Sequence, residues 1–316
     1  MSALLHFDGL ERAALPARPL HLAIGMFDGL HLGHQSVIAA AVHSARRSGG
    51  LAGVLTFWPH PSALFRPANP TPLLMPPAMK RRVLGQLGLD FVIEQNFSPE
   101  FAQIEAGAFV PWLQRHLPQL SAIYVGENWR FGRGRVGDVA MLVDTARAAG
   151  LEVFSAPRLN HNGAPISSSR IRELLAAGDV TGANALLGYS YFAEGVVERG
   201  RRLGHTIGFP TLNIPWQPEL RPHYGVYAVE VLTAAKNPLK GVANYGVRPT
   251  VESAGAPLLE VHLLEHSSLT YGDRLTVNWL QFLRPESRFG SMEELRLQIA
   301  TDTRNARQFF QNNPAK

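Results

Sequence analysis

The chain has 316 residues, 46% of them hydrophobic and 17% charged, a composition that supports a packed core and excludes extensive disorder. At about 150 residues per domain, this length predicts roughly two domains. Thirty basic residues against 25 acidic ones give a formal charge of +5, which favours anionic partners without a basic block typical of nucleic-acid-binding arms. Cysteine is absent, which excludes disulfide bonds and thiolate nucleophiles.

The first half of the chain alternates strands with helices. Apolar runs of strand length occur at 20–25, 51–57, 90–93, 122–125 and 151–154. Helical spacing of apolar residues occupies 33–47 and 142–149. This alternation predicts a parallel sheet with crossover helices, in which ligands bind at the carboxyl ends of the strands.

The pattern changes near Ser167. Two short helices are predicted within 167–187, with Asp179 at the start of the second. Strands then follow at 192–198, 225–232, 239–245, 258–265 and 274–282. They predict a small antiparallel barrel or sandwich. Ser291 and Glu294 form a capping-box pattern that predicts a final helix. The predicted domains are 1–187 and 188–316.

A histidine pair follows the first strand, in GMFDGLHLGHQ at 25–35. His31 and His34 are three residues apart at the start of a predicted helix, where backbone N–H groups and the helix dipole favour an anion. Gly33 would let a phosphate approach the backbone, and Gly25 and Gly29 permit a sharp turn. The motif predicts a triphosphate site that stabilises charge during phosphoryl transfer. The alternative is a pair of capping or surface histidines.

Segments along residues 20–310 resemble, in order, motifs of the prokaryotic bifunctional riboflavin kinase/FMN adenylyltransferase (FAD synthetase) family. In the first half they are the HxGH segment at 25–35, TFWPHP at 56–61, VGENWRFGRGRVGD at 125–138 and ISSSRIR at 166–172. In the second half they are GFPTLNI at 208–214, GVYAV at 225–229, GVANYGVRPT at 241–250 and LEVHLL at 259–264.

The resemblance implies an α/β nucleotidyltransferase domain of the Rossmann-like HxGH type, followed by a small antiparallel β-barrel riboflavin kinase domain with a C-terminal helix. It implies that the barrel phosphorylates riboflavin to FMN with ATP. The first domain would then adenylylate FMN with a second ATP, giving FAD and pyrophosphate. Riboflavin, FMN and ATP are the implied substrates, and Mg²⁺ is the implied cofactor.

In the adenylyltransferase, the resemblance implies catalytic roles for His31 and His34. The implied ATP- and phosphate-binding residues are Gly25, Phe27, Asp28, Gly33, Asn128, Ser168, Arg170 and Arg172. The implied flavin-binding residues are Pro59, His60, Pro61 and Trp129. Three serines and two arginines at one helix start independently favour an anion site. For Trp129, burial in the core is the alternative to stacking on the flavin.

In the kinase, the resemblance implies that Glu260 is the general base and that Thr211 and Asn213 bind the metal, with Gly208 at the ATP site. Hydroxyl and amide oxygens suit Mg²⁺, and a strand carboxylate opposite the core face can accept a hydroxyl proton. From the pattern alone, an ordinary turn and an exposed glutamate would be preferred.

The second half also departs from the family pattern. Leu212 stands where alanine is usual, His205 stands where arginine is typical, and 198–204 is a weak version of the glycine-rich kinase loop. One alternative therefore keeps only the adenylyltransferase, with a flavin-binding regulatory domain. Another is a nucleic-acid-binding protein without enzyme activity, although neither nucleic acid nor membrane is an expected partner.

The expected location is the cytoplasm, because the first ten residues lack the basic and apolar regions of a secretory signal. No run of 18 apolar residues occurs that would predict a membrane span. Homo-oligomerisation is left open, and FAD-requiring apoproteins are candidate recipients of the product.

Overall fold

The computed structural model describes residues 4–200, 207–233, 238–250 and 253–314. His205 and the segment 201–204 of the kinase loop lie outside these residues. The chain divides into two compact units, Met1–Ser168 and Ser169–Lys316. The boundary between 187 and 188 stays a prediction about where the activities divide.

The first unit contains one parallel six-stranded sheet. Its strands are β1 (Leu5–Phe7), β2 (Leu20–Ile24), β3 (Leu51–Trp58), β4 (Phe91–Asn96), β5 (Leu120–Gly126) and β6 (Glu152–Ala156). Its helices are α1 (Leu32–Ser48), α2 (Pro61–Phe65), α3 (Pro77–Leu84), α4 (Ala106–His116) and α5 (Val139–Ala148). A two-stranded hairpin follows, β7 (Asn160–His161) with β8 (Ala164–Pro165). The predicted parallel α/β architecture is confirmed.

The strand order β1-β4-β3-β2-β5-β6 has a switch point between β2 and β5. From β2 the chain continues to β3 and β4 on one side, and it later returns to place β5 and β6 on the other. Both central strands are almost wholly buried, so their carboxyl ends are firmly placed. Open α/β sheets bind ligands in the crevice at such a point. The histidine motif follows β2, and Asn128 follows β5.

The second unit contains a nearly closed antiparallel barrel. Its strands are β9 (Phe192–Val196), β10 (Leu212–Pro215), β11 (Gly225–Leu232), β12 (Leu239–Thr250), β13 (Ser253–Leu263) and β14 (Arg274–Pro285). The strand order is β10-β13-β12-β11-β14-β9, and a bridge between Glu198 and Asn213 joins the two ends. The barrel core is aromatic, with Tyr227, Tyr245 and Trp279 fully buried. The predicted antiparallel barrel is confirmed.

In the part of the second unit that the structure describes, three helices accompany the barrel: α6 (Ser168–Ala176), α7 (Val180–Leu187) and α8 (Met292–Asn312). As predicted, Asp179 caps α7 by accepting a hydrogen bond from the Gly182 N–H at 2.8 Å. Ser291 caps α8 by accepting one from the Glu294 N–H at 3.2 Å. Helix α8 packs its buried Ala306 and Phe310 against the barrel. Among the described residues, no helix has the length and apolar character needed to cross a membrane.

Candidate functional site

The two predicted histidines stack face to face at the start of α1. Their ring centroids lie 3.6 Å apart with 16° between the planes. His31 is the N-cap, and its Nδ1 accepts a hydrogen bond from the His34 N–H at 3.2 Å. That bond requires an unprotonated Nδ1, which leaves the proton of the neutral ring on Nε2. The cap thus fixes the tautomer and leaves an N–H donor on the ring.

Both imidazoles are neutral at physiological pH. Burial lowers the pKa of His31 to about 4. Burial lowers the pKa of His34 well below its ordinary value, and the proximity of His31 and Lys80 lowers it further. The edge of Phe27 covers the His34 ring at 5.3 Å between centroids. The pair can therefore offer hydrogen bonds to a ligand, and the predicted triphosphate site stays a prediction.

The turn between β2 and α1 has an unusual backbone. Phe27 and Leu30 adopt φ of 49° and 41°, in the left-handed region, where non-glycine residues are uncommon. Gly29 adopts φ of 79°, and a Cβ there would lie 2.5 Å from Leu74 Cδ1. A Cβ on Gly33 would press on the His31 ring at 3.2 Å. Gly33 therefore makes room for the imidazole; an approach by phosphate stays a prediction.

Asp28 holds this turn from within. Its buried carboxylate accepts hydrogen bonds from the Leu74 N–H at 3.0 Å and 3.2 Å. Its backbone carbonyl accepts one from the Ser168 hydroxyl at 2.8 Å. Asp28 thus anchors the proline-rich segment at residues 67–77, and Ser168, the last residue of the first unit, binds the same turn. Phosphate binding by these two residues stays a prediction.

Asn128 lies after β5, across the switch point from β2. With its amide oriented to satisfy both polar atoms, Oδ1 accepts hydrogen bonds from Arg158 Nε at 3.0 Å and Nη2 at 3.2 Å. The sequence did not indicate Arg158, an exposed side chain held beside a predicted phosphate ligand. Arg170 and Arg172 are half-buried on the first turns of α6. Their phosphate contacts stay a prediction.

An aromatic cavity of about 730 Å³ opens beside the histidine turn. This volume is within the range of small-molecule sites. Gly25 and Met26 line it from the turn, and Asn128 lines it from β5. Aromatic rings supply much of the remaining wall: Phe57, His60, Phe65, Phe97, Phe101, Phe109, Trp129 and Phe131. Arg66, Arg130 and Arg135 add positive charge to the same cavity.

Three of the four predicted flavin-binding residues line this cavity: His60, Pro61 and Trp129. His60 caps α2 through Nδ1, which accepts a hydrogen bond from the Ser62 N–H at 3.1 Å. Trp129 stacks on Phe131, with 4.7 Å between centroids and 13° between planes, so it is both a wall of the cavity and part of the core. Pro59 follows Trp58 through a cis peptide bond and is not among the lining residues.

Sequence reasoning missed most of the aromatic wall. Phe97 and Phe101 lie just after β4, four residues apart and with their rings 5.4 Å apart. Aromatic residues immediately beyond a predicted strand of a parallel sheet were the available signal, because ligands bind at that edge.

The predicted kinase residues meet on adjacent strands of the barrel. Glu260 on β13 is paired in register with Asn213 on β10 and with Asn244 on β12. Directly paired residues project from the same face of a sheet, so these three side chains share one face. Their neighbours Leu259 and Val261 are fully buried, as the predicted alternation requires. The structure thus brings Glu260 and Asn213 together.

The approach to β10 is tightly packed. Asn213 is buried, and a Cβ on Gly200 would lie between 2.4 Å and 2.6 Å from three of its side-chain atoms. The Glu198 N–H donates to the Asn213 carbonyl at 2.8 Å. Thr211 is half-buried just before the strand, and Gly208 has φ of 84° in the preceding turn.

A second carboxylate, which the sequence did not single out, lies near Glu260. Asn244 Nδ2 donates to Glu286 Oε1 at 3.5 Å. Burial raises the pKa of Glu286 and the charge of Glu260 adds to the rise, while Asn244 and Arg284 oppose it. The site therefore combines two carboxylates and two amides.

Comparison with known proteins covers both units. A family model for FAD synthetase matches residues 15–170, and one for riboflavin kinase matches residues 187–310. The bifunctional riboflavin kinase/FMN adenylyltransferase of Escherichia coli strain K12 is 38% identical over 92% of each chain. That of Haemophilus influenzae is 36% identical over 96% of this chain and 98% of its own, and that of Bacillus subtilis is 34% identical over 92% of each.

A solved structure has the same fold over nearly the whole chain. The crystal structure of a macrolide-efflux protein from Streptococcus pneumoniae matches with a TM-score of 0.87 and 26% identity, over 97% of this chain and 99% of that one. These relatives match over at least 92% of their length, and the two family models cover separate parts of the chain in the order predicted from the motifs. The chain belongs to the bifunctional riboflavin kinase/FMN adenylyltransferase family.

Proposed function

We propose that the two reactions of FAD biosynthesis are divided between the two described sites. The chain is a riboflavin kinase and FMN adenylyltransferase, which makes FMN from riboflavin and ATP, and FAD from FMN and ATP. The stacked histidine turn with the aromatic cavity would perform adenylylation. The face carrying Glu260 would perform phosphorylation. The observation that carries this division is that the histidine turn and the aromatic cavity lie within the first compact unit, whereas the face carrying Glu260 lies within the second.

In the adenylyltransferase, the aromatic cavity would hold the flavin ring, and the histidine turn would hold the triphosphate. An oxygen of the FMN phosphate attacks the α-phosphorus of ATP, and the bond to pyrophosphate breaks. The FMN phosphate is already ionised, so this step needs no strong base. His31 and His34, held neutral, would donate hydrogen bonds to oxygens on which charge develops. The N-terminus of α1 favours the same charge.

In the kinase, Glu260 would accept the proton of the riboflavin 5′-hydroxyl as that oxygen attacks the γ-phosphorus of ATP and ADP leaves. Asn213 would align the reacting groups from the adjacent strand. Burial raises the pKa of Glu286 beside this site, so this carboxylate binds a proton more readily than an exposed glutamate does.

The residues at this face fit a divalent cation. The Thr211 hydroxyl and the Asn213 amide offer the neutral oxygen ligands that Mg²⁺ accepts together with nucleotide phosphates. Packing of Asn213 against Gly200 restricts the amide that would serve as a ligand. Bound there, the ion would neutralise charge on the phosphates of ATP.

Incubation of the purified chain with riboflavin, ATP and Mg²⁺, followed by separation of the flavins, tests both activities. We expect FMN and FAD from the wild type. Glu260→Ala should abolish FMN formation and retain conversion of added FMN to FAD, whereas His31→Ala should do the reverse. A folded variant that loses both reactions would overturn the division into two sites. A wild type that makes FAD only from FMN would favour the regulatory second domain.

The remaining proposals concern the boundaries and the fate of the product. We place the functional boundary between 187 and 188, which agrees with the start of the riboflavin kinase match at residue 187. FAD-requiring apoproteins are the proposed recipients of FAD. Size-exclusion chromatography with and without an apoflavoprotein would test this transfer and the oligomeric state.

A further inference from the structure

A buried lysine lies beneath the histidine turn and has no role in the function proposed so far. Lys80 on α3 is only 7% exposed. Its Nζ donates to Thr56 Oγ1 at 3.0 Å and to the Met26 carbonyl at 3.4 Å. Thr56, fully buried in β3, also donates to the Met26 carbonyl, at 3.0 Å. The ammonium therefore lies at the carboxyl ends of β2 and β3, against the first residues of the turn.

Burying this ammonium is costly. Lysine is seldom buried unless paired, because desolvation disfavours its charge. Both hydrogen-bond acceptors described for Nζ are neutral, and burial lowers its pKa, while the nearby carboxylates of Glu94 and Asp28 favour the charged form. Each carboxylate has another partner: Asp28 accepts from the Leu74 N–H, and Glu94 lies 3.5 Å from Arg81. A cost of this kind is typical of functional sites.

Lys80 lies close to the side of the turn that faces the aromatic cavity. A small void of about 10 Å³, lined by Lys80 and Asp28, shares Met26, Phe57 and His60 with the aromatic cavity. The charge of Lys80 also reaches His34, whose protonation it disfavours. With both histidines neutral, Lys80 is the buried cation at this turn among the residues that the structure describes.

Composition adds an independent observation. The chain has 26 arginines and four lysines, and Lys80 is the only lysine in residues 1–235. An arginine at this position would need room for a planar fork, whereas an ammonium is a compact point charge. The compact cation thus occurs at a buried position on α3, where its side chain is 7% exposed.

We propose that Lys80 is an electrostatic positioning residue of the adenylyltransferase, whose buried charge, anchored on Thr56 and Met26, stabilises the triphosphate and the departing pyrophosphate at the His31–His34 turn. This inference rests on the proposed adenylyltransferase function. As pyrophosphate leaves, negative charge grows on its oxygens, and a fixed cation beneath the turn stabilises that charge without reorganising. The neutral histidines then donate hydrogen bonds to the same oxygens, while the positive charge of Lys80 stabilises them electrostatically.

The test compares Lys80→Met and Lys80→Gln with Lys240→Met in the full-length chain. Lys80→Met keeps the chain length and removes the charge, and Lys80→Gln keeps a hydrogen-bond donor without the charge. Lys240→Met is a matched control in the other unit, where Lys240 lies over the Phe310 ring. FAD formation from FMN and ATP, inhibition by pyrophosphate and FMN binding by flavin fluorescence are measured. Riboflavin phosphorylation by each preparation reports whether the second unit is intact.

We expect both Lys80 variants to lower kcat/KM for ATP in FAD formation by about 100-fold, the order seen when one transition-state donor is removed. Pyrophosphate inhibition should weaken, FMN binding should stay within about twofold, and Lys240→Met should match the wild type. Wild-type rates in either Lys80 variant would overturn the proposal, as would equal losses of FMN and pyrophosphate binding, which indicate a structural role. A wild type unable to make FAD from FMN would instead refute the proposed function.

Discussion

At the scale of single residues, the chemistry of the histidine turn depends on where protons are held. His31 uses Nδ1 as a helix cap, so protonation of that atom would break the bond to the His34 N–H. In the same folded structure, burial of the ring lowers the pKa of His31 to about 4. The free enzyme therefore keeps a neutral, correctly oriented donor over the pH range in which ATP carries its full charge.

This depressed pKa predicts an acid-sensitive contribution to stability. Unfolded His31 binds a proton near pH 6.5, whereas the folded residue does so only near pH 4. The unfolded state thus binds more protons between these values, and the free energy of unfolding falls as pH decreases through that range. The full difference corresponds to roughly 3 kcal/mol, and none of it is lost above pH 6.5.

His31→Asn removes the titration and keeps a good N-cap. Hydrogen exchange of β2 and α1 peptides at pH 7 and pH 4.5 measures the stability of this region. We expect a smaller loss of protection on acidification in His31→Asn than in the wild type. His43→Asn, an exposed change on the same helix, should follow the wild type. Parallel losses in all three proteins would contradict the depressed pKa.

Sequence reasoning located these residues but not all of their contacts. The HxGH spacing was enough to predict that His31 and His34 share the start of α1. It did not indicate that Asp28 would bind the Leu74 N–H, because that contact joins residues 46 positions apart. Lys80 gave no signal by pattern, since its importance depends on burial against Thr56, which only the packing of α3 on the sheet creates.

At the scale of elements, helix α8 is attached to the barrel by a buried ion pair. Arg284 on β14 donates to Asp302 through Nε at 2.9 Å and through Nη2 at 2.8 Å. Gln298 donates to the same carboxylate at 2.9 Å. Asp302 is 2% exposed, so loss of its carboxylate would leave a partly buried guanidinium without compensation.

Asp302→Ala should therefore destabilise the second unit by about 3 kcal/mol, the lower end for breaking a buried pair. Denaturant unfolding of the full-length chain, followed by tryptophan fluorescence, measures the change. Glu293→Ala is the matched control, since it removes the exposed i,i+3 partner of Arg296 on the same helix. We expect no measurable shift for the control. Equal midpoints for the two variants would mean that the buried pair does not hold α8.

The elements were predictable where periodicity was strong. Strand β11 was predicted with its observed bounds, and α1 differs by one residue at each end. Helix α4 was missed because Pro111 lies inside it, which normally argues against a helix interior. Strand β1 has only three residues, and its pairing with β4 depends on a segment more than 80 residues away. Such a short edge strand forms because it pairs with a neighbouring strand, and its own three residues are too few to show an alternating hydrophobic pattern.

At the scale of the whole molecule, two separate sites require that FMN move from the kinase to the adenylyltransferase. If FMN passes through solution, the two activities need not lie on the same chain. An equimolar mixture of Glu260→Ala and His31→Ala proteins should then convert riboflavin to FAD after a lag. Chromatography of the flavins over time measures this.

The wild type and each variant alone serve as the references for that experiment. Neither variant alone should make FAD from riboflavin. If the mixture forms FMN but no FAD, although Glu260→Ala uses added FMN, then transfer through solution does not occur. The two-domain organisation itself was predictable from length and motif order, whereas the path of FMN depends on release rates that no sequence pattern encodes.

The short helix α7 determines whether the kinase unit can be produced separately from the first unit. Asn184 on α7 donates through Nδ2 to the Trp279 carbonyl at 2.7 Å, and its Oδ1 accepts from the Tyr191 N–H at 2.7 Å. One amide thus ties α7 to β14 and to the entrance of β9. A gene fragment starting at Gly188 would omit Asn184. The Trp279 carbonyl and the Tyr191 N–H would then lose their hydrogen bonds to its amide. A separately produced kinase unit should therefore include α7.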